Sequence, residues 1–221
     1  RIFEKSRVAE VIDQGTVTVR TAQGSVRAAH AILATDAWME EIDPGLARFT
    51  IPIMNYNVAT APLPNADDLL PSNAAVADSR FVLNYFRLSA DKRLLFGGGE
   101  KYVQTPPADI AGFVRRHIVE VFPQLASTPI DYQWGGAVSV SMNRLPILGR
   151  RGNVFHAFGF SGHGALVTTL AGELIAEALA GTASRFDVMA SLPKRPFPGG
   201  KWMRRPLATL GLLWYALKDR L

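Results

Sequence analysis

The stretch Gly159-Phe160-Ser161-Gly162-His163-Gly164 constrains the chain most. A short apolar run, Asn153 to Phe158, precedes it, and a long one follows from Ala165 to about Ala180. That order reads as strand, glycine-rich turn, helix. Three glycines in six residues leave little side chain between the backbone and whatever approaches it. A helix start adds unpaired N–H groups and a partial positive charge. The turn is therefore either a seat for a flat, electron-rich or anionic group, or a tight connection that holds no ligand.

Known motifs narrow the choice by failing. A Walker loop needs a lysine after its last glycine, and the turn has none. The G-x-G-x-x-G dinucleotide spacing is not met. A nucleophile elbow, G-x-S-x-G, needs glycine where His163 stands, and no histidine follows to serve as its base. The four histidines, His30, His117, His156 and His163, form no ligand pair, so no metal is expected. His117, on an apolar helical face, and His156, at strand spacing, read as packing residues. With no cysteine, disulfides, thiolate metal sites and a cysteinyl cofactor link are excluded.

The net charge of +5 has a location. From Lys194 onward there are seven Lys/Arg and one Asp, a balance of +6, so the remaining 193 residues sum to −1. The basic character belongs to a tail, which argues against nucleic acid as a partner. The lack of cysteines and of a transmembrane-length apolar run points to a cytoplasmic protein. The chain opens at Arg1 in strand-like sequence and is expected to be a piece of a longer protein.

In order, Val8 to Ile12, Val17 to Thr21 and Ser25 to Ala28 form a β-meander with turns at Gln14-Gly15 and Ala22-Gln23-Gly24. Ala31 to Thr35 reads as a strand buried on both faces, and Thr35 or Asp36 as the cap of a short helix through Ile42. A long strand spans 50–63. Phe81 to Leu88 and Arg93 to Phe96 form a hairpin that ends at Gly97-Gly98-Gly99. Pro106-Pro107 opens an amphipathic helix that Pro123 ends. Ile130 to Val140 is a strand and 143–152 a loop. The helix after the focal turn is apolar nearly all round and is expected to be buried on most sides, with Gly172 for close packing and Gly181 as its C-terminal cap. Leu207 to Leu217, with Trp202 and Trp214, is expected to pack on its own fold rather than on a membrane surface.

These pieces in combination resemble the D-amino-acid-oxidase-like family of FAD-dependent oxidoreductases. The resemblance rests on the valine-rich meander, Ala31-Ile32-Leu33-Ala34-Thr35, Pro146-x-x-Gly149 and the G-F-S-G-H-G turn. Trp134-Gly135-Gly136, Phe186-Asp187, the Arg195 to Gly200 stretch and Trp214 to Asp219 narrow it to one branch. It implies an α/β plus α+β chain, in which part of a glutathione-reductase-like FAD-binding domain (1–50 and 143–190) is interleaved with an antiparallel-sheet substrate domain (51–142). Residues 191–221 form a basic tail. The dinucleotide-binding βαβ unit is absent from this chain.

The resemblance also implies FAD contacts at Val8, Ala34, Thr35, Gly159, Phe160, Ser161, Gly162, His163 and Gly164. Asp36 stands where glycine often follows in the family. The implied reaction is oxidation of the C–N bond of an amine or amino acid by hydride transfer to flavin, giving an imine that hydrolyses. The substrate candidates are Tyr56, Arg87, Tyr102 and Trp134, and Arg87 suits a carboxylate. No catalytic base stands out, and the electron acceptor stays open. The alternative is a cofactor-free binding or assembly module that keeps the fold.

Overall fold

A computed structural model describes residues 1–81, 83–101 and 105–218. Tyr102 lies outside the described residues. The chain begins with β1 (Val8–Asp13), β2 (Val17–Thr21), β3 (Ser25–Ala28) and β4 (Ala31–Leu33). Then come α1 (Met39–Ile42), α2 (Pro44–Ala47), β5 (Thr50–Thr60), α3 (Ala66–Leu69), β6 (Val76–Ala77), β7 (Tyr85–Leu88) and β8 (Leu94–Lys101). They are followed by α4 (Ile110–Val121), β9 (Ile130–Ser141), β10 (Ile147–Arg151), β11 (Val154–Phe158), α5 (Gly164–Leu179), α6 (Ser184–Ala190) and α7 (Gly200–Lys218). They divide into two compact units, Arg1–Pro52 with Val138–Pro206, and Ile53–Ala137 with the chain from Leu207.

In the first unit the meander forms as its turns dictate, β1-β2-β3 antiparallel, with Val17 opposite Ala28. A second sheet has the order β10-β11-β4, with β11 antiparallel to β10 and parallel to β4. Residues 147–151, expected as loop, are therefore a strand. They alternate between two cores. Leu148 packs with Phe155, Ala171, Leu174, Ile175 and Phe186, while Ile147 packs with Leu33, Met39, Leu46, Ala47 and Phe158. Gly149 stays bare because a Cβ there would lie 2.7 Å from His156 Nε2. The ribbon is clasped to the β10–β11 turn by Asp13, whose carboxylate accepts from the backbone N–H of Asn153 at 2.7 Å. That bond holds the Asp13 carboxyl below its ordinary value.

The second unit is a five-stranded sheet, β6-β7-β8-β5-β9. Helix α4 covers one face, where Tyr56, Val58, Leu88, Leu94, Phe96, Val114 and Ile118 form the core. α4 starts after the two prolines, capped by Asp109, which accepts from Gly112 N–H at 2.8 Å. The triple glycine does not end β8, which runs on to Lys101. Its glycines have no room for a Cβ because neighbours fill those positions: Tyr85 over Gly97, Asn84 and Phe96 over Gly98, His117 and Phe113 over Gly99.

Three burial expectations are overturned. Among the described residues β4 pairs only with β11, so Ile32 is 50% exposed and Ala34 is exposed too. Helix α5 buries only Ala171, Leu174 and Ile175, because one sheet face covers one stripe of it. Leu166 is 80% exposed, and Gly172 has nothing within 4 Å of a built Cβ. The C-terminal segment is a helix, but its large apolar side chains, Leu210 and Trp214 among them, face outward. The cap at Gly181 is present, with φ +97° and the N–H of Thr182 bonded to the Glu177 carbonyl at 2.9 Å.

Candidate cofactor turn and substrate face

The focal turn leaves β11 through Gly159, whose φ of +72° favours glycine. A Cβ there would stand 2.9 Å from Thr50 Cγ2, so the packing demands glycine as well. Ser161 also adopts a left-handed conformation, φ +54°, which costs a non-glycine residue about 1–2 kcal/mol. It is buried, and its bonds hold it there. Its N–H donates to the Ser139 carbonyl at 2.9 Å. Its Oγ accepts from Ser141 N–H at 3.2 Å and donates to the Gly159 carbonyl at 3.2 Å. The Phe160 ring packs toward the Leu148–Phe186 core. Neither the Ser161 hydroxyl nor the Phe160 ring faces the open side of the turn.

Asp36 completes this base, and sequence reasoning missed its role. One carboxylate oxygen accepts from Gly159 N–H at 3.0 Å and the other from Ser139 N–H at 3.4 Å. It does not cap the helix that follows, and its own φ is +39°. Through it, the segment Ala34-Thr35 at the end of β4 is tied directly to the focal turn. The only sequence signal was a carboxylate where a glycine was looked for. Its partners lie 103 and 123 residues away, a pairing no local pattern carries. Val8 sits instead on the β1–β2 ribbon, opposite Thr21.

The upper side of the turn is backbone. Gly162 has φ +90° and nothing within 4 Å of a built Cβ. His163 is exposed and precedes α5 without its side chain accepting a bond from the first turn, and Gly164 opens the helix. α5 runs for 16 residues, so its start carries the partial positive charge of a full helix. A firmly tied base thus presents an open, donor-bearing edge, the arrangement that suits a flat group with negative charge on its rim. These features fit a flavin ring. Below the turn, His156 is buried and its Nε2 has no partner. Burial, aided by the nearby cations Lys194 and Arg151, depresses its pKa to about 4. No group of side chains able to hold a metal occurs among the described residues.

In the second unit the pleat sorts the substrate candidates. Tyr56 is fully buried on the helix side, edge-on to Phe113, and its hydroxyl has no partner. Because Phe86 and Leu88 face α4, Arg87 stands on the opposite, open face and is exposed. Gln133 reaches α4, accepting from Ala111 N–H at 2.7 Å, so Trp134 also faces away from the helix and is about half exposed. The open face of β5 carries Asn55 and Asn57, not Tyr56. The Tyr85 ring lies across Gly97, and its hydroxyl donates to Asn55 Oδ1, which also accepts from Asn57 Nδ2 at 3.1 Å. A shift of one residue along a strand moves a side chain through the sheet, so Tyr56, expected at the substrate, lies in the core while its neighbours Asn55 and Asn57 face the open side.

Comparison with known proteins identifies the family. Residues 1–178 match the family model described as DAO, FAD dependent oxidoreductase. The chain is 40% identical over its whole length to gamma-glutamylputrescine oxidoreductase of Escherichia coli K12, covering 53% of that protein. It is 39% identical over 99% of its length to a probable oxidoreductase, OrdL, of Rhizobium meliloti 1021, covering 52% of it. The chain therefore spans about half the length of these curated relatives. Among solved structures, glycine oxidase from Geobacillus kaustophilus superposes with a TM-score of 0.71 at 22% identity, covering 87% of this chain and 53% of that one. L-proline dehydrogenase from P. horikoshii gives 0.67, also at 22%, covering 81% of this chain and 50% of that one.

Proposed function

The chain belongs to the DAO family of FAD-dependent oxidoreductases, and from that premise we propose that the protein it comes from oxidises the C–N bond of an amine or amino acid. The observation that carries the reading is the turn before α5, tied from beneath by Asp36 and Ser161 and open above at Gly162 and His163. In this reading the backbone of Gly162, His163 and Gly164 meets the cofactor, while Gly159, Phe160 and Ser161 hold the turn in shape. Ala34, Thr35 and Val8 complete this chain's share of the site. The dinucleotide-binding unit expected in the remaining length of such proteins would hold the pyrophosphate. FAD, when bound, supplies the acceptor for a hydride from the substrate carbon, and the resulting imine is released to water.

The open sheet face of the second unit is the proposed substrate wall. Arg87 offers a planar fork to a carboxylate, Trp134 an apolar plane, and the Tyr85–Asn55–Asn57 network a set of fixed hydrogen-bonding groups. An absorbance spectrum of the full-length protein supplied with FAD tests the reading, with flavin bands as the expected result. No flavin bands, either as purified or after adding FAD, would leave the cofactor-free binding module in its place. Given a flavoprotein, Arg87→Leu is expected to raise KM about tenfold or more for substrates that carry a carboxylate, and to leave the others unchanged.

A further inference from the structure

One face of the β10–β11 hairpin holds an amine without a counter-ion. Gly149 and His156 stand opposite each other in register, and Arg151 follows two residues on, on the same face. Because Gly149 has no side chain, two nitrogens share the space over it. A Cβ there would lie 2.7 Å from His156 Nε2 and 3.3 Å from Lys194 Nζ. His156 is 4% exposed and its Nε2 has no partner. The segment that carries Lys194 is tied on both sides. Asn143 Nδ2 donates to the Pro193 carbonyl at 2.8 Å, and Phe197 N–H donates to the Arg48 carbonyl at 3.0 Å. Lys194 itself is partly buried, and its ammonium makes no hydrogen bond or ion pair among the described residues. Asp43, the carboxylate of this neighbourhood, is engaged by Arg151 Nη1 at 2.7 Å.

We propose that Lys194 is a covalent site for small anionic aldehydes, which it captures as a Schiff base. An ordinary lysine is almost wholly ammonium at neutral pH, and an ammonium has no lone pair to give. Lys194 lacks both full hydration and an acidic partner. Its neighbours are an imidazole that is uncharged at neutral pH and a guanidinium of its own sign. Burial first, and then Arg151, lower the Lys194 pKa, so more of it is the free amine that attacks a carbonyl carbon. Arg151 also sets the class of electrophile. Its N–H groups beyond the bond to Asp43 are unbonded among the described residues, and they suit a carboxylate carried by the aldehyde. In the step, the amine nitrogen bonds to the carbonyl carbon. The two amine protons and the carbonyl oxygen leave as water, and a C=N bond remains. No oxidant or reductant is consumed, so the capture is independent of the flavin reading.

The test incubates the FAD-loaded full-length protein near neutral pH with glyoxylate or with propanal, each with sodium cyanoborohydride to fix the C=N bond. The labelled lysines are then mapped by peptide mass spectrometry. Glyoxylate is expected to label Lys194 several-fold faster than the exposed Lys5 and Lys218, and propanal, which has no carboxylate, to show a smaller preference for it. Arg151→Gln is expected to bring the two aldehydes level at Lys194, with circular dichroism as the check on folding. The wild-type comparison needs no variant, so a misfolded Arg151→Gln leaves it as the deciding result. Labelling of Lys194 no faster than that of Lys5 and Lys218 overturns the proposal. So does equal preference for the two aldehydes in the wild type, or an unaltered preference in a folded Arg151→Gln.

Discussion

Helices α4 and α5 differ in a way their sequences conceal. α4 has polar and apolar sides in regular alternation and buries Val114 and Ile118 against its sheet. α5 is the more apolar of the two, yet it buries only Ala171, Leu174 and Ile175 and leaves Leu166 in solvent. Apolarity on every side of a helix says that more than one surface can be covered; it does not say that this chain supplies each cover. In α4 the sequence pattern and the packing have the same width. In α5 the pattern is wider than the packing, and its N-terminus is where the glycine turn ends.

Paired truncations break or sharpen this contrast most directly. Ile118→Ala in α4 is expected to destabilise by about 2–5 kcal/mol, by lost transfer energy plus a cavity, read from denaturant unfolding of this chain. A loss under about 1 kcal/mol would mean that the α4 core is looser than its burial implies.

The next largest effect is pH-dependent and belongs to the sheet that α5 covers. Folded His156 stays neutral down to about 4, whereas an unfolded histidine titrates near 6.5. The unfolded chain therefore takes up the proton first, and stability falls as pH drops from about 6.5 to about 4. The loss amounts to up to about 3 kcal/mol. His156→Met should flatten the melting temperature across that window. Asp13 acts in a different window: its lowered pKa contributes stability that is lost only as pH falls below the ordinary carboxylate range.

Asp36→Ala removes the acceptor of Gly159 N–H and Ser139 N–H. It should cost about 1–3 kcal/mol, the penalty of leaving buried donors unpaired. It should also lower the flavin content of the full-length protein, because the turn loses its base. The smallest effect is expected at Leu166→Ser, within about 0.5 kcal/mol in this chain, as for exposed positions generally. A larger cost in the full-length protein would show that another part of it covers α5.

The candidate site was half legible beforehand. The glycine turn is visible because strand, glycines and helix are contiguous, and the φ values of Gly159 and Gly162 justify the glycines. Its underside was not visible. Asp36, the Ser139–Ser141 end of β9 and Ser161 come from three separate stretches and meet only after folding. Of the substrate candidates, Arg87 and Trp134 face the open side of their sheet and Tyr56 faces the core, a distinction that the pleat makes and composition does not.

The sequence by itself determined the meander and its turns, the α4 stripe, the strand–turn–helix at Gly159 to Gly164 and the basic tail. All of these are periodicities or local conformational preferences that act over a few residues. Only the tertiary structure decided that 147–151 is a strand between two cores, that β8 runs through its glycines, and that Asp36 anchors the turn. It also decided which side of α5 and α7 is buried. Those outcomes depend on which distant surfaces meet, and burial is a property of the pair of surfaces rather than of either one.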